Sequence, residues 1–493
     1  MKQIKMSTKL HAICIPYPAQ GHITPMLKLA TLLHSKGFYI TFVNTDYNHR
    51  RLARATELES RAQLENFRFE TMPDGLPHSD LDVTQDIPML CHAVMNDFLT
   101  PFKKLFCRIN DPASGSPPIT VIVSDGVLPF AADAARELGG VPLVWLWTAS
   151  VCGLLGYLQY PFLLNKGIVP FQDSTFLTNG TLDQVIDWIP SMKNMTLKYI
   201  PSFIRTTNKD DLMLNYLMLL AQTVTTSSAP IIFNSFDGLE QDVLHDVSKL
   251  ISGPFYTIGP LQLQLQKISS QHAVQKSLGS NLWKEDSECL NWLDSKNPRS
   301  VVYVSFGSIT TMTNENLVEF AWALANSTHF FLWVLRPDLV TGETSIIPPE
   351  FVSETKDRGL ITSWCDQETV LRHPSVGGFL THCGWNSTLD AVCGGVPVLC
   401  WPFFGEQPTN CWFCCRKWGI GMEIESEVKR VKVEMQVREI MDGKKGKEMA
   451  RNAKKWMNLA EEAVNSSCGS SNLNLELLIN DVLLPLKYKY GRN

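Results

Sequence analysis

The stretch Gly378–Val392, GFLTHCGWNSTLDAV, decides the fold of the second half of the chain. Its apolar run ends at Thr381, and Gly384 permits a tight backbone turn. The spacing from Ser387 to Asp390 is that of a capping box, which starts a helix. The stretch therefore predicts a buried strand that turns directly into a helix. Because a helix N-terminus carries free N–H groups and a partial positive charge, this turn is suited to bind a phosphate.

On both sides of this stretch, short apolar runs alternate with longer amphipathic segments, which is typical of βα units around parallel sheets. We predict strands at 10–15, 39–43, 121–124, 143–147 and 231–234, and then at 301–306, 330–335, 360–363, 378–381, 396–401 and 421–424. The polar stretch 259–281 shows neither the periodicity of a helix nor that of a strand, and it is interpreted as an interdomain linker. Two doubly wound α/β domains, 1–258 and 282–471, would then enclose a cleft between the carboxyl ends of their strands.

The composition is that of a globular protein long enough for two or three domains. The chain has 493 residues, 44% of them hydrophobic and 19% charged, and 44 basic against 49 acidic residues give a net charge of −5. This balance lacks the excess of positive charge that is typical of a nucleic-acid-binding protein.

The uncharged run 141–164 is long enough to cross a bilayer, but Pro142, Pro161 and the polar residues 148–150 interrupt it. We therefore predict a strand, a loop and a short buried helix there, with no membrane span.

The thirteen cysteines are an odd number, and many lie in apolar, strand-like runs. This pattern favours buried, reduced thiols over a disulfide framework. The apolar run near the N-terminus is too short for a signal peptide, so we predict a cytosolic protein. Cys411, Cys414 and Cys415 have the spacing C-x-x-C-C, but no second group of ligands lies nearby in the sequence. We therefore predict buried thiols there rather than structural zinc, and no metal site.

Function is expected in the loops that follow the strands. The first of these loops holds His22 in PYPAQGH, and an imidazole can act as a base near neutral pH. Asp125 follows the strand VIVS on the same rim of the sheet, where a carboxylate within reach would fix the tautomer of the imidazole. A capping or core histidine and a plain turn aspartate before Gly126 are the alternatives.

In the second half, Ser308 follows a strand at a turn where backbone N–H groups and its hydroxyl can meet an anion. His382, beside the turn described first, can donate a hydrogen bond to the same group. The chain contains neither GxGxxG nor GxxxxGK[ST] nor GxSxG. The sequence therefore gives no motif that would indicate a dehydrogenase, a P-loop protein or an α/β-hydrolase.

Two other loops carry side chains suited to a base and a sugar. Trp364 offers a flat face on which a base can stack. Glu406 and Gln407 end the loop after the strand at 396–401, and together they can accept from and donate to vicinal hydroxyl groups.

The span Trp364–Gln407 resembles the signature box of plant UDP-dependent glycosyltransferases that act on small natural products. The likeness includes the first Trp, the HCGWNS core and the closing acid–Gln pair. PYPAQGHITPMLKL, VSDG and VVYVSFGS resemble the subgroup that includes terpenoid, iridoid, cyanohydrin and cytokinin glucosyltransferases, so the likeness covers nearly the whole chain. It implies the GT-B fold, with an acceptor-binding domain 1–258, a donor-binding domain 282–471, and a helix around 472–484 in the tail 472–493 that returns to the first domain.

The resemblance also implies roles for single residues, with His22 as the base and Asp125 as its partner. A closing Gln in this family goes with glucose as the sugar. The implied donor contacts are Trp364 and the Cys365 backbone for the uracil, Gln367 and Asp390 for the ribose, Ser308, His382, Asn386 and Ser387 for the diphosphate, and Thr148, Trp385, Glu406 and Gln407 for the sugar.

Two positions depart from the family pattern. Asp390 stands where the family usually has Glu, so its carboxylate is one methylene shorter and its ribose contact is expected to be longer or bridged by water. Asp366 replaces a common Pro, which is expected to loosen the turn after Trp364. Either change could weaken donor binding, while neither removes the base.

The sequence thus predicts inverting transfer of glucose from UDP-glucose to a hydroxyl of a hydrophobic small molecule, by a monomer without cofactor or metal. Apolar residues at 73–76, Phe98, 154–157 and Phe203 favour a terpenoid or iridoid alcohol over a cyanohydrin, cytokinin or phenolic acceptor. A non-catalytic UDP-sugar-binding protein and a hydrolase that uses His22 and Asp125 on water are the alternatives of other classes.

Overall fold

The computed structural model describes residues 9–56, 64–79, 83–271, 281–340 and 347–484. The chain forms two domains, each with a parallel sheet between layers of helices. This α/β architecture of two facing sheets confirms the predicted GT-B fold class.

The first domain is built around seven strands in the order β3-β2-β1-β4-β5-β8-β9, and each neighbouring pair is parallel. The strands β6 and β7 form a separate antiparallel pair. In chain order the strands are β1 (His11–Ile15), β2 (Tyr39–Thr45), β3 (Phe67–Met72), β4 (Val121–Asp125), β5 (Leu143–Trp147), β6 (Val185–Ile186), β7 (Met195–Thr196), β8 (Ile231–Phe233) and β9 (Phe255–Thr257).

Helices connect these strands and cover both faces of the sheet. They are α1 (Gln20–Ser35), α2 (Asp46–Thr56), α3 (Ile87–Asn96), α4 (Leu99–Asn110), α5 (Phe130–Glu137), α6 (Val151–Tyr157), α7 (Tyr160–Asn165), α8 (Leu212–Thr226), α9 (Asp237–Val247) and α10 (Leu261–Gln271). Short 3₁₀ helices lie at Pro112–Ser114, Ser174–Leu177, Thr181–Asp183, Pro190–Met192, Leu197–Tyr199 and Ser202–Ile204.

The second domain has a six-stranded sheet in the order β12-β11-β10-β13-β14-β15, again with parallel pairs. Its strands are β10 (Val301–Ser305), β11 (Phe330–Val334), β12 (Gly359–Thr362), β13 (Val376–Thr381), β14 (Val398–Cys400) and β15 (Gly421–Glu423). Its helices are α11 (Glu288–Asp294), α12 (Asn314–Ser327), α13 (Pro349–Thr355), α14 (Gln367–Arg372), α15 (Trp385–Gly394), α16 (Gln407–Trp412), which continues as a wide turn over Phe413–Lys417, α17 (Arg430–Asp442) and α18 (Lys444–Asn465).

The strands are apolar on both faces because helices cover both sides of each sheet. In β1, Ile13 and Ile15 pack into one core cluster, whereas Ala12 and Cys14 pack into the other. Such continuous apolar runs are typical of buried parallel strands. The run 141–164 forms a strand and a loop, as predicted, and then two helices, α6 and α7, where one was expected. Within the described ranges, no helix has the length and apolar character needed to cross a membrane.

The stretch 259–281, expected as an interdomain linker without regular structure, contains a helix. Its first part is the helix α10, and residues 272–280 lie outside the described residues. The alternation LQLQLQ conceals this helix, because Gln262 and Gln264 are buried together with Leu261 and Leu263. Gln262 and Gln264 are buried, and their amides donate to Asp390 Oδ1 at 3.0 Å and to the carbonyl of Ile258 at 3.2 Å. A glutamine can therefore occupy a core position when its side-chain amide is hydrogen-bonded, although its polarity favours the surface.

The helix α19 (Ser470–Leu477), which continues as a wide turn over Leu478–Leu483, packs against the first domain. Ser471 Oγ donates to the carbonyl of Gly259 at 2.5 Å, and Asn474 Nδ2 donates to the carbonyl of Thr257 at 3.1 Å. Leu478 lies in the core cluster that contains α1 and β2 side chains. The end of the described chain thus bridges back from the second domain to the first.

This bridge can be tested with two adjacent leucines. Leu478 has no exposed surface, whereas Leu477 is 48% exposed. We expect Leu478→Ala to lower the free energy of unfolding by about 2–5 kcal/mol, because it leaves a cavity under the first sheet. The matched Leu477→Ala should stay within about 0.5 kcal/mol of the parent protein. Urea unfolding measures both, and equal effects would contradict the packing described for α19.

Candidate active site

A cavity of about 960 Å³ lies between the two domains, at the carboxyl ends of strands from both sheets. The loops after β1, β4 and β5 line one side, and the loops after β10, β12, β13 and β14 line the other. Asp125 lies behind the cavity wall, whereas the remaining predicted site residues line the cavity: His22, Thr148, Ser308, Trp364, Cys365, Gln367, His382, Trp385, Asn386, Ser387, Asp390, Glu406 and Gln407. The fold thus brings together residues that are far apart in the sequence.

His22 and Asp125 form a hydrogen-bonded pair, with 2.9 Å between His22 Nδ1 and Asp125 Oδ2. His22 lies in the first turn of α1, and Asp125 is the last residue of β4. Because β1 and β4 are neighbouring parallel strands, their carboxyl ends present these two side chains on one rim. The carboxylate holds Nδ1 and leaves Nε2 as the ring nitrogen to take up a proton.

Buried groups fix this pair in place. Asp125 has no exposed surface, and it accepts hydrogen bonds from the backbone N–H groups of Tyr17 at 3.3 Å and Val127 at 3.1 Å. Thr148, predicted to contact the sugar, lies with its Oγ1 at 2.7 Å from His22 Nδ1. Its hydroxyl therefore also orients the imidazole.

The surroundings raise the pKa of His22 above its usual value. Burial alone would lower this pKa, but the negative charge and hydrogen bond of Asp125, with a smaller effect of Glu406, outweigh the burial. The imidazolium form is therefore stabilised, as is required of a group that takes up a proton during a reaction.

The turn between β13 and α15 differs from the predicted capping box. The helix begins at Trp385 with Gly384 as N-cap, and no side chain caps it. Ser387 therefore lies inside the first turn, and its Oγ accepts a hydrogen bond from Gln367 Nε2 at 3.0 Å. A capping hydroxyl would have used one of the free N–H groups of the helix. Without such a cap, the first turn keeps its N–H groups for an anion.

His382 lies between two glycines at this turn. A Cβ atom on Gly307 or on Gly384 would collide with its ring, and Gly307 has a φ of +72°. Burial and the nearby charge of Arg336 lower the pKa of His382 to about 3, so the ring stays neutral at neutral pH. Its Nδ1 is buried without a hydrogen-bond partner among the described residues. An orphaned polar atom here fits a site that a polar ligand completes.

Two residues of the anion-binding side also contact the first domain. Asn386 Nδ2 donates to the carbonyl of Gly21 at 2.7 Å, next to His22. The carbonyl of Ser308 accepts from Thr84 Oγ1 at 2.8 Å. These bonds tie the position of the first turn of α15 to the position of the imidazole.

Trp364 stacks on Trp283, with ring centroids 6.0 Å apart and an angle of 24° between the planes. The guanidinium of Arg51 lies 4.8 Å above the Trp283 ring centroid. Trp364 also lines the cavity, so the stack supports a flat aromatic surface in the cavity wall. The sequence did not predict the contribution of Trp283, because it lies just after the stretch interpreted as a linker.

Gln367 and Asp390 lie together, and Gln367 Nε2 donates to Asp390 Oδ2 at 2.9 Å. The other carboxylate oxygen of Asp390 accepts from Gln262 Nε2 of the first domain at 3.0 Å. Burial and the neighbouring Glu368 raise the pKa of Asp390 to about 7. Two amides thus hold the shorter carboxylate, and Gln262 was missed because α10 was not predicted.

Asp366 does not loosen the turn after Trp364, contrary to the expectation. Its side chain caps α14 and accepts from the backbone N–H of Thr369 at 3.3 Å and from its hydroxyl at 2.6 Å. An N-cap carboxylate of this kind stabilises a helix start.

The loop before α16 places Glu406 and Gln407 at the cavity. Tyr157 Oη donates to Glu406 Oε2 at 3.2 Å, and burial raises the pKa of Glu406. Gln407 Oε1 accepts from the backbone N–H groups of Phe403 at 2.8 Å and Phe404 at 3.0 Å, which leaves its Nε2 to donate. Trp385 Nε1 donates to the carbonyl of Asn234 at 2.9 Å. The indole N–H of Trp385 therefore bonds to the first domain, while Trp385 also lines the cavity.

The side of the cavity next to His22 is mainly apolar. Among the predicted acceptor residues, Tyr157 and Phe203 line it. Phe98 does not, because it is 1% exposed and packs on Phe130 with ring centroids 5.8 Å apart. Side chains from α3 and α8, which were not predicted, complete the wall: Ile87, Cys91, Met213, Tyr216, Leu217 and Leu220.

The electrostatics of the pair can be measured directly. Asp125→Asn should lower the pKa of His22, because burial then acts without the opposing charge. NMR titration of the labelled histidine ring measures this shift in the intact protein. The control Asp133→Asn, at an exposed carboxylate that pairs with Arg136, should leave the pKa of His22 unchanged. An equal pKa of His22 in the parent and in Asp125→Asn would contradict the coupling.

Comparisons with known proteins agree with this architecture. The family UDP-glucoronosyl and UDP-glucosyl transferase matches residues 25–456. The 7-deoxyloganetin glucosyltransferase of Gardenia jasminoides is 55% identical over 484 residues, which are 98% of this chain and 100% of the relative. The (R)-mandelonitrile beta-glucosyltransferase of Prunus dulcis is 53% identical over 484 residues, 98% of this chain and 99% of that one. The crystal structure of Os79 from O. sativa in complex with U2F and trichothecene matches with a TM-score of 0.77 and 26% identity, over 96% of this chain and 100% of that chain. The chain belongs to the UDP-glucoronosyl and UDP-glucosyl transferase family.

Proposed function

We propose that the protein transfers glucose from UDP-glucose to a hydroxyl group of a hydrophobic small molecule, with inversion at the anomeric carbon. One observation carries this proposal: His22, held by Asp125, lines the cavity from the first domain, and the uncapped N-terminus of α15 lines the same cavity from the second. A base on one side and an anion-binding turn on the other are what such a transfer requires.

The donor would lie along the second domain. The uracil would stack on Trp364 and pair with the Cys365 backbone, and the ribose hydroxyls would bind Gln367 and Asp390. The diphosphate would meet Ser308, His382 and the first turn of α15. The sugar would bind Glu406 and Gln407 Nε2. All of these residues line the same cavity, which supports one continuous donor site.

In the proposed reaction, His22 Nε2 takes the proton of the acceptor hydroxyl while its oxygen attacks the anomeric carbon. The bond from that carbon to the UDP oxygen breaks, and UDP leaves with increased negative charge. Asp125 stabilises the imidazolium, and holding both substrates in one cavity contributes much of the rate.

The growing charge on UDP would be stabilised by fixed donors of the chain itself. The N–H groups of the first turn of α15, the neutral ring of His382 and the hydroxyl of Ser308 need no rearrangement as the charge develops. The proposed transfer step therefore uses no cofactor or metal ion.

We propose an iridoid or other terpenoid alcohol as the acceptor. The apolar wall formed by α3, α8 and Phe203 supports a hydrophobic molecule. The likeness to 7-deoxyloganetin glucosyltransferases at 55% identity supports the iridoid. The likeness to (R)-mandelonitrile beta-glucosyltransferase at 53% identity favours a cyanohydrin as the second candidate.

We further propose that one chain acts alone in the cytosol. Both sides of the cavity come from the same chain, so a single copy supplies the base and the anion site. The thirteen cysteines are free, and most of them are buried, which suits a reducing compartment.

An acceptor panel tests the proposed function. Purified protein is incubated with UDP-glucose and one acceptor of each class: an iridoid alcohol, a diterpenoid alcohol, a cyanohydrin, a cytokinin and a phenol. Mass spectrometry should find one added hexose, with the highest kcat/KM for the iridoid. UDP-glucose breakdown without an acceptor would indicate a hydrolase, and UDP binding without product would indicate a binding protein.

The base is tested by His22→Ala, with His34→Ala near the end of the same helix as the control. Loss of the base should lower kcat by about 10²–10⁴-fold, because general base catalysis is typically of that size. Binding of UDP, measured by calorimetry, should persist in both variants, and His34→Ala should keep the parent kcat. Unchanged turnover in His22→Ala would remove His22 from this role.

The contact of Gln262 with Asp390 is tested by Gln262→Ala. Without this amide, Asp390 loses one of the two bonds that hold its carboxylate against the proposed ribose. We expect KM for UDP-glucose to rise several-fold with little change in kcat, because the lost interaction acts on binding. Initial rates at varied UDP-glucose measure both constants. A fall in kcat at constant KM would contradict the proposed place of Asp390.

A further inference from the structure

Three buried thiols meet below the anion-binding turn. Cys383 follows β13, Cys400 ends β14, and Cys411 lies in α16. All three have no exposed surface, and their Sγ atoms lie within 4.8 Å of one another. The sequence analysis predicted no metal site, and sequence spacing did not predict this cluster, because neighbouring strands and a helix bring the three residues together.

We propose that Cys383, Cys400 and Cys411 form a binding site for a zinc ion, separate from the catalytic cavity. Zinc bound by thiolates has Zn–S distances of about 2.3 Å, which places neighbouring sulfur atoms about 3.8–4.0 Å apart. The observed limit of 4.8 Å lies within 1 Å of that spacing, so side-chain rotation can close the site around an ion. An all-sulfur set selects zinc over magnesium or calcium, which prefer oxygen ligands.

Two further cysteines, Cys414 and Cys415, follow Cys411 in the wide turn that continues α16. Cys414 is buried, whereas Cys415 is partly exposed. A tetrahedral set would take its fourth ligand from Cys415 or from a water molecule.

The site would act on the loop that binds the donor. Cys383 has a left-handed backbone with a φ of +64°, and its carbonyl accepts from Asn410 Nδ2 at 2.9 Å. Its neighbours in the chain are His382 and Gly384, which form the turn before α15. Ligation of Cys383 would hold this turn from the side opposite the cavity.

Binding by the three thiols replaces three S–H bonds with three Zn–S bonds and releases three protons to solvent. Zinc affinity should therefore rise with pH. Zinc that binds the folded chain should also raise the midpoint of thermal unfolding, as expected for a ligand of the native state.

The test uses the full chain with the exposed Cys107 and Cys468 replaced by serine, so that surface thiols do not compete. Cobalt(II) is titrated as a spectroscopic probe and then displaced by zinc. We expect one ion per chain, with thiolate-to-metal charge transfer and the visible bands of tetrahedral cobalt. Cys400→Ala and Cys411→Ala, each checked for retained UDP binding, should each weaken zinc binding at least tenfold.

X-ray absorption of the zinc-loaded background protein gives a second readout that does not depend on core variants. Three or four sulfur neighbours at about 2.3 Å support the proposal. No bound ion, coordination by nitrogen and oxygen alone, or unchanged zinc affinity in folded Cys400→Ala and Cys411→Ala would overturn it. In those cases the thiols only fill space in the core.

Discussion

Asp125 is a carboxyl group without solvent exposure, held by His22 and by the backbone N–H groups of Tyr17 and Val127. A buried charge of this kind persists only where such partners compensate the loss of hydration. The imidazole that compensates it is therefore fixed in orientation and has a raised pKa. The order of the two parallel strands β1 and β4 places both groups at one rim, so the fold and the proposed chemistry depend on the same contact.

The second domain is positioned relative to this pair by hydrogen bonds across the cleft. Asn386, in the first turn of α15, binds the carbonyl of Gly21, the residue before His22. Trp385 binds the carbonyl of Asn234, and Gln262 reaches from the first domain to Asp390. The distance between a base and an anion site is thus set by direct contacts rather than by a flexible connection. A misplacement of about 1 Å in such an arrangement can cost about 10²-fold in rate.

Much of this could be predicted from the sequence, because strands and the loops that follow them leave local patterns. His22, Asp125 and the turn before α15 follow apolar runs and were expected at one cleft. What was missed depends on tertiary partners. Gln262 and Gln264 of α10 are polar residues, and only the folded structure shows that their buried amides are hydrogen-bonded. Phe98 has the apolar side chain expected of a pocket residue, but it packs on Phe130 in the core. The capping box at Ser387 was wrong because the helix begins two residues earlier, at Trp385, and Ser387 Oγ instead accepts from Gln367.

In the proposed complex, His22 lies beside the acceptor hydroxyl while the second domain holds the diphosphate. A crystal structure with UDP-2-fluoro-glucose and an accepted alcohol would show whether it does. We predict His22 Nε2 at about 2.6–3.2 Å from the acceptor oxygen, directly or through one water. We also predict that oxygen on the face of the sugar opposite the departing UDP. An acceptor oxygen held by another side chain, with His22 turned away from the cavity, would contradict this arrangement.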